Sequence, residues 1–143
     1  MSSFFKTSEA GSIALHAMIM LSNNPERLVR IREIAVSFNF SEAHLAKVLN
    51  RLVKAGLINA IRGPSGGYKL NKPARDISIK KIYEAIEGKL QKNKCMFNIS
   101  ACDGSGCQLG DFFTEKSQQV EEKLSGTKLS EISFNKEILN LFI

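Results

Sequence analysis

Between Gly56 and Asn71 the chain abandons helical spacing. Leu57-Ile58-Asn59-Ala60-Ile61 and Tyr68-Lys69-Leu70 read as two short strands. Arg62-Gly63-Pro64-Ser65-Gly66-Gly67 lies between them, and glycine and proline there favour a protruding hairpin loop. The segment just before it is strongly helical. Ser41 suits an N-cap, Glu42 suits the first turn, and Gly56 suits the stop. Over Ser41–Ala55 one face carries Leu45, Val48, Leu49 and Leu52, and the other carries Glu42, His44, Lys47, Asn50, Arg51 and Lys54.

An amphipathic stretch, Val29–Phe38, precedes this helix, with Ile31, Ile34, Ala35 and Phe38 on one side. Asn39 suits a left-handed turn between the two. Two helices joined by a tight turn, the second basic outside, make a helix-turn-helix. Followed directly by a hairpin, they make a winged helix. Helices are also expected over 8–22, Ser78–Glu87 and Leu109–Ser125, the last with Leu109, Phe112, Phe113, Val120 and Leu124 along one stripe. Thr127–Ile143 reads as a short helix or strand. The expected fold is mainly α with a small β-hairpin: a winged helix-turn-helix over 1–88, a cysteine loop over 89–108, and a dimerisation helix with its C-terminal segment over 109–143. A helical apolar stripe that follows a complete winged helix needs a partner, and a two-fold mate is the commonest one.

Charge follows the same division. Residues 1–92 carry 15 Lys/Arg against 7 Asp/Glu, whereas 93–143 carry 5 against 7. A basic front suggests a polyanionic partner, with nucleic acid first and an anionic membrane surface as the rival. The longest apolar run, Ile13–Leu21, is too short to span a bilayer and lacks the flanks of a secretory leader, so a cytoplasmic protein is expected.

Specific contacts can be assigned on this frame. The helix Ser41–Ala55 fits a major groove. Asn50 suits adenine, Arg51 guanine and Lys54 phosphate, while Ser41, His44 and Lys47 face the same way. Arg62 at the loop mouth suits a narrow, electronegative minor groove, and Ser65 and Gly66 allow close approach of backbone to phosphate.

Val53-Lys54-Ala55-Gly56-Leu57-Ile58, followed by Arg62-Gly63-Pro64-Ser65-Gly66-Gly67-Tyr68, resembles the wing signature of the IscR/NsrR/CymR regulators, the Rrf-two family of winged-helix transcription factors. The order of segments agrees from about residue 4 to residue 133. The resemblance implies a bacterial homodimer that binds a palindromic operator in double-stranded DNA. It implies that Ser41–Ala55 enters the major groove, that Arg62 enters the minor groove, and that Leu109–Ser125 is the dimer helix.

The three cysteines, Cys95, Cys102 and Cys107, form a C-x6-C-x4-C run on a glycine-containing loop. An odd count argues against a disulfide framework. The spacing lacks the close pair usual for zinc and suits either a larger thiolate-bound cluster or free thiols. The resemblance implies the cluster: cluster-binding members of the family carry three cysteines in this loop, though more evenly spaced. IscR-like members place a histidine three residues after the third cysteine, where this chain has Gly110. NsrR-like members use an N-terminal aspartate of the partner subunit in a Thr-Asp-x-Gly context. Ser8-Glu9-Ala10-Gly11 matches that segment, with Glu9 at the acid's place. Asp111 or water is the fallback oxygen ligand, and His16, on an apolar helix face, reads as a core residue. Three cysteines and one oxygen serve a two-iron or a four-iron cluster equally, and protein purified in air could lack either. Sensing of nitric oxide, redox state or iron–sulfur status would follow.

Two other readings stand beside this one. The first is a cluster-free regulator of the same fold, like CymR, that responds to a partner protein or to thiol oxidation. The second is an iron–sulfur electron carrier, for which the basic helix and Arg62 have no use. There is no nucleophile–base pair, phosphate loop or nucleotide fingerprint. An enzyme and a small-molecule substrate are therefore not expected.

Overall fold

The computed structural model describes residues 7–91, 102–103 and 105–134. Five α-helices and one hairpin follow in order: α1 (Glu9–Ser22), α2 (Ile31–Phe38), α3 (Glu42–Lys54), β1 (Ile58–Ile61), β2 (Gly67–Leu70), α4 (Ile79–Glu87) and α5 (Gln108–Gly126). Cys95 and residues 135–143 lie outside the described residues, so the expectations placed on them have no structural counterpart.

α1 is the central element. Ile13, Ala14, Ala17, Met18 and Leu21, the residues at helical spacing in its sequence, are all buried. α3, α4 and α2 pack around it, supplying Leu45, Leu49, Leu52, Ile82, Ile86 and Ile34 to one continuous core. The ends of the helices are set locally. The hydroxyls of Ser41 and Ser78 accept from the backbone N–H groups of His44 and Lys81 at 3.4 and 3.3 Å. Asn39 takes the left-handed conformation (φ 55°, ψ 43°) that turns α2 into α3, and Phe40 N–H closes the turn on Ala35 O at 2.9 Å.

β1 and β2 pair antiparallel, with Ile58 opposite Leu70 and Ile61 opposite Gly67. The sequence places Val29 at the start of a helix, but it forms an isolated antiparallel bridge to Tyr68 of β2. It exchanges both backbone hydrogen bonds with Tyr68 (2.9 and 2.8 Å), and α2 begins only at Ile31. The reason is local: Val29 is β-branched and wholly buried, and Arg30 beside it is extended (ψ 148°) as the cap residue of α2.

The segment after α5 returns to the winged helix. Leu129 N–H donates to Ile77 O at 2.8 Å, Ile79 N–H donates to Thr127 O at 3.0 Å, and Leu129 is 0% exposed in the same core as α1. A boundary at residue 109 thus leaves part of the first unit's core on the far side of the cut. Lys80 on α4 bridges to Glu121 on α5 at 3.0 Å and steadies the crossing of these two helices.

Candidate nucleic-acid interface

On α3, Leu45, Val48, Leu49 and Leu52 turn inward. This leaves Ser41, Lys47, Asn50 and Lys54 exposed and His44 half-buried. Arg51 is placed differently from its neighbours: its guanidinium donates to the carbonyl of Ile86 at the end of α4. One of the last-turn acceptors of α4 is satisfied in this way, and α3 is tied to α4. A side chain expected at a base edge is therefore occupied within the protein.

The wing stands beside α3, and its tip is built from close backbone approaches. Gly66 N–H donates to Gly63 O at 2.9 Å. A Cβ at Gly66 would lie 2.1 Å from Ile61 O, and one at Gly67 would lie 2.8 Å from Val29 O. Only glycine fits either place. Arg62 and Ser65 project from this turn, both exposed.

An open groove of roughly 720 Å³ runs between α3, the wing and the start of α2. Asn50, Arg62 and Gly66 line it, together with Arg30 and Arg32. The groove thus joins three of the expected contact residues, while Ser41, His44, Lys47, Lys54 and Ser65 lie outside it. Arg30 and Arg32 were missed by reading the sequence, where they entered only the charge count. Their signal was their position, two cations flanking the first residue of an amphipathic helix. Glu33 does not neutralise them. Its carboxylate is taken by Arg27 at 2.9 Å and by the backbone N–H of Arg30 at 3.1 Å. The Arg27 guanidinium first, and then that N–H, hold the Glu33 carboxyl below its usual range. Among the described residues, Arg32, Lys47, Lys54 and Arg62 are paired with no carboxylate. These four exposed or groove-side cations therefore carry positive charge that no ion pair among the described residues offsets.

Two of the three cysteines fall within the described residues. Cys102 is exposed, and Cys107 is half-buried as the cap residue of α5. Between them the Asp103 carboxylate accepts from Ser105 N–H at 2.9 Å and from its hydroxyl at 2.7 Å, folding the intervening turn. Among the described residues no three His, Cys, Asp or Glu side chains are grouped to hold a metal ion. Glu9 is exposed in the first turn of α1, and Asp111 is exposed in that of α5. Ser8, next to Glu9, donates its N–H to Glu87 at 2.7 Å, which joins the start of α1 to the end of α4. His16 is half-buried among Phe38, Phe40 and Phe134, with Nδ1 2.7 Å from Ser12 O, in the packing role its sequence setting suggested.

A hairpin wing and a basic second helix around one groove are the architecture of a winged helix-turn-helix regulator. The model of the Rrf2 family, described as iron-dependent transcriptional regulator, matches residues 7–135. The chain belongs to this family and is a transcriptional regulator rather than an enzyme. It is 29% identical over 132 residues to the HTH-type transcriptional regulator IscR of Pectobacterium atrosepticum, covering 92% of this chain and 80% of that one. Among solved structures, the global cysteine regulator CymR of B. subtilis superposes with a TM-score of 0.77 at 25% identity, covering 96% of this chain and 98% of that one. T. potens IscR superposes with a TM-score of 0.69 at 24% identity, covering 94% and 96%, a likeness of fold. Among the described residues no helix is long and apolar enough to cross a membrane.

Proposed function

We propose that the chain acts in the cytoplasm as a homodimer that binds a two-fold-symmetric operator in double-stranded DNA. The observation that carries this reading is the unpaired cationic groove, which sets Asn50 of α3 opposite Arg62 of the wing. α3 enters the major groove with Ser41, His44, Lys47 and Asn50 toward the bases, and Lys54 meets phosphate. Arg62 enters the adjacent minor groove, where the compact glycine turn lets Ser65 and Gly66 approach the backbone. The test is binding of duplex DNA across a salt series. A dimer that touches several phosphates loses affinity steeply as salt rises, and a shallow dependence would overturn the reading.

We also propose that Cys95, Cys102 and Cys107 hold an iron–sulfur cluster. The donor set suits it: the two described cysteines are reachable from solvent, and Cys107 caps α5, whose free N–H groups favour an anionic centre. Bound there, the cluster supplies redox and nitric oxide reactivity. Glu9 of the partner subunit is the proposed oxygen ligand, with Asp111 as its substitute. The contact of Ser8 with Glu87 and that of Arg51 with Ile86 meet at the end of α4, from which the chain runs into the cysteine segment. We propose that binding in the cysteine segment is felt at α1 and α3 through these two contacts. A second reading, a cluster-free regulator that responds through its thiols, is favoured by the exposure of Cys102. Iron and sulfide counts on anaerobically purified protein separate the two. Matched counts support the cluster, and metal-free protein after reconstitution supports the thiols.

A further inference from the structure

The DNA reading places Arg62 on a hairpin of four residue pairs, and an isolated two-stranded ribbon of that size is marginal in water. Delivery of one arginine to a narrow groove requires the wing to be held in place before DNA arrives, since ordering it on binding costs affinity. The loop-side half of the wing is held by the exchange of backbone hydrogen bonds between Val29 and Tyr68, which pairs with Ala60 one position from the loop. Its tip is held by the very next residue. Arg30 Nη2 donates to the carbonyl oxygen of Pro64 at 3.1 Å, across 34 positions of sequence. The Arg30 side chain is free to do this because Arg27 occupies Glu33 and the backbone N–H of Arg30 takes the rest of that carboxylate.

We propose that Arg30 is a positioning residue for DNA binding, a strut that fixes the wing tip and through it the approach of Arg62 to the minor groove. This rests on the DNA reading above. Adjacent residues, Val29 and Arg30, then hold the loop end of the hairpin against the start of α2, through Tyr68 and through Pro64, so that α2 and the wing tip meet the duplex together. Arg30 does not need to touch DNA for this. A guanidinium on a carbonyl fixes direction as well as distance, and a shorter side chain at 30 leaves the Pro64 carbonyl to water.

The probe is the duplex that the intact protein enriches from a pool with a randomised centre. Affinities are measured for the natural protein, Arg30→Ala, Arg30→Lys, Arg62→Ala and the double variant Arg30→Ala/Arg62→Ala. Arg30→Ala should weaken binding about tenfold, the scale of one hydrogen bond with a charged donor. Arg30→Lys, which keeps a donor on a long stem, should recover part of the loss. With Arg62 already removed, Arg30→Ala should cost less than about threefold more, because the strut then positions only the backbone approach of Ser65 and Gly66. An equal loss in both backgrounds would mean a direct phosphate contact or general damage to the fold and would overturn the proposal. So would an unchanged affinity for Arg30→Ala. If the natural protein enriches no duplex and binds none at low salt, the DNA reading itself fails, and the strut falls with it.

Discussion

Arg62 and Arg51 have the same side chain and sit in the same reading unit, yet their surroundings assign them different work. Arg62 has no partner among the described residues and projects from a turn that only glycine can close. Arg62→Ala should weaken operator binding by about 1–3 kcal/mol with little change in thermal stability, the size of a specific base-contacting side chain. Unaltered affinity in a fluorescence anisotropy titration would remove Arg62 from the interface. Arg51 instead satisfies a carbonyl at the end of α4. Arg51→Ala should therefore lower the stability of the fold by about 1 kcal/mol and leave the preferred DNA sequence unchanged. A shift in base preference with intact stability would return Arg51 to the role its sequence position suggests. Sequence could not separate these two. Helical spacing puts Arg51 on the outer face of α3, and only the packing of α4 shows where its long side chain ends.

At the scale of elements, the sequence made most of the fold legible. The apolar faces of α1 and α3, the Ser41 cap, the left-handed Asn39 and the hairpin all stand where residue spacing puts them, because each is decided within a few residues. The start of α2 escaped because it is decided at long range. Val29 is strand-like through Tyr68, a partner far along the chain. Arg30 escaped for the same reason. Its partner is a backbone carbonyl at the wing tip, and no local pattern marks a carbonyl. The α2 start also carries a pH signature. Arg27 and the Arg30 N–H depress the Glu33 pKa in the folded state, so the stability they add is present above the ordinary carboxylate value of about 4.3 and is lost as pH falls through the lower folded value. The group is partly exposed, which limits the effect to about 0.5 kcal/mol. Glu33→Gln should lower the unfolding midpoint at neutral pH, and the difference from the natural protein should close as pH falls below 4. A constant difference across that range would mean that Glu33 acts by packing rather than by charge.

For the molecule as a whole, α5 poses the unsolved packing problem. Among its described residues only Gly110 and Ser117 are fully buried, so the helix lays its small residues on its own body. Leu109 and Phe112, which belong to the apolar stripe, are each 50% exposed. Large side chains facing outward while small ones face inward suit a helix packed on two sides, and in the proposed homodimer a second copy across a two-fold axis would supply the other side. Such a dimer also sets the two reading heads at a fixed separation, so that one bound half-site raises the effective concentration of the other head. Leu109→Asp combined with Phe112→Asp should then sediment as a folded monomer, because both positions already face solvent within one chain and tolerate charge there. The natural protein should sediment as a dimer at the same concentration. The monomer should keep its helical content and bind a single half-site as the dimer's own head does, while its affinity for a complete two-fold site falls by 10²-fold or about that, from loss of the linked second contact. A natural protein that sediments as a monomer would remove the two-fold arrangement. A double variant that still dimerises would move the interface off the first half of α5 and toward Val120 and Leu124, which share the stripe at its far end.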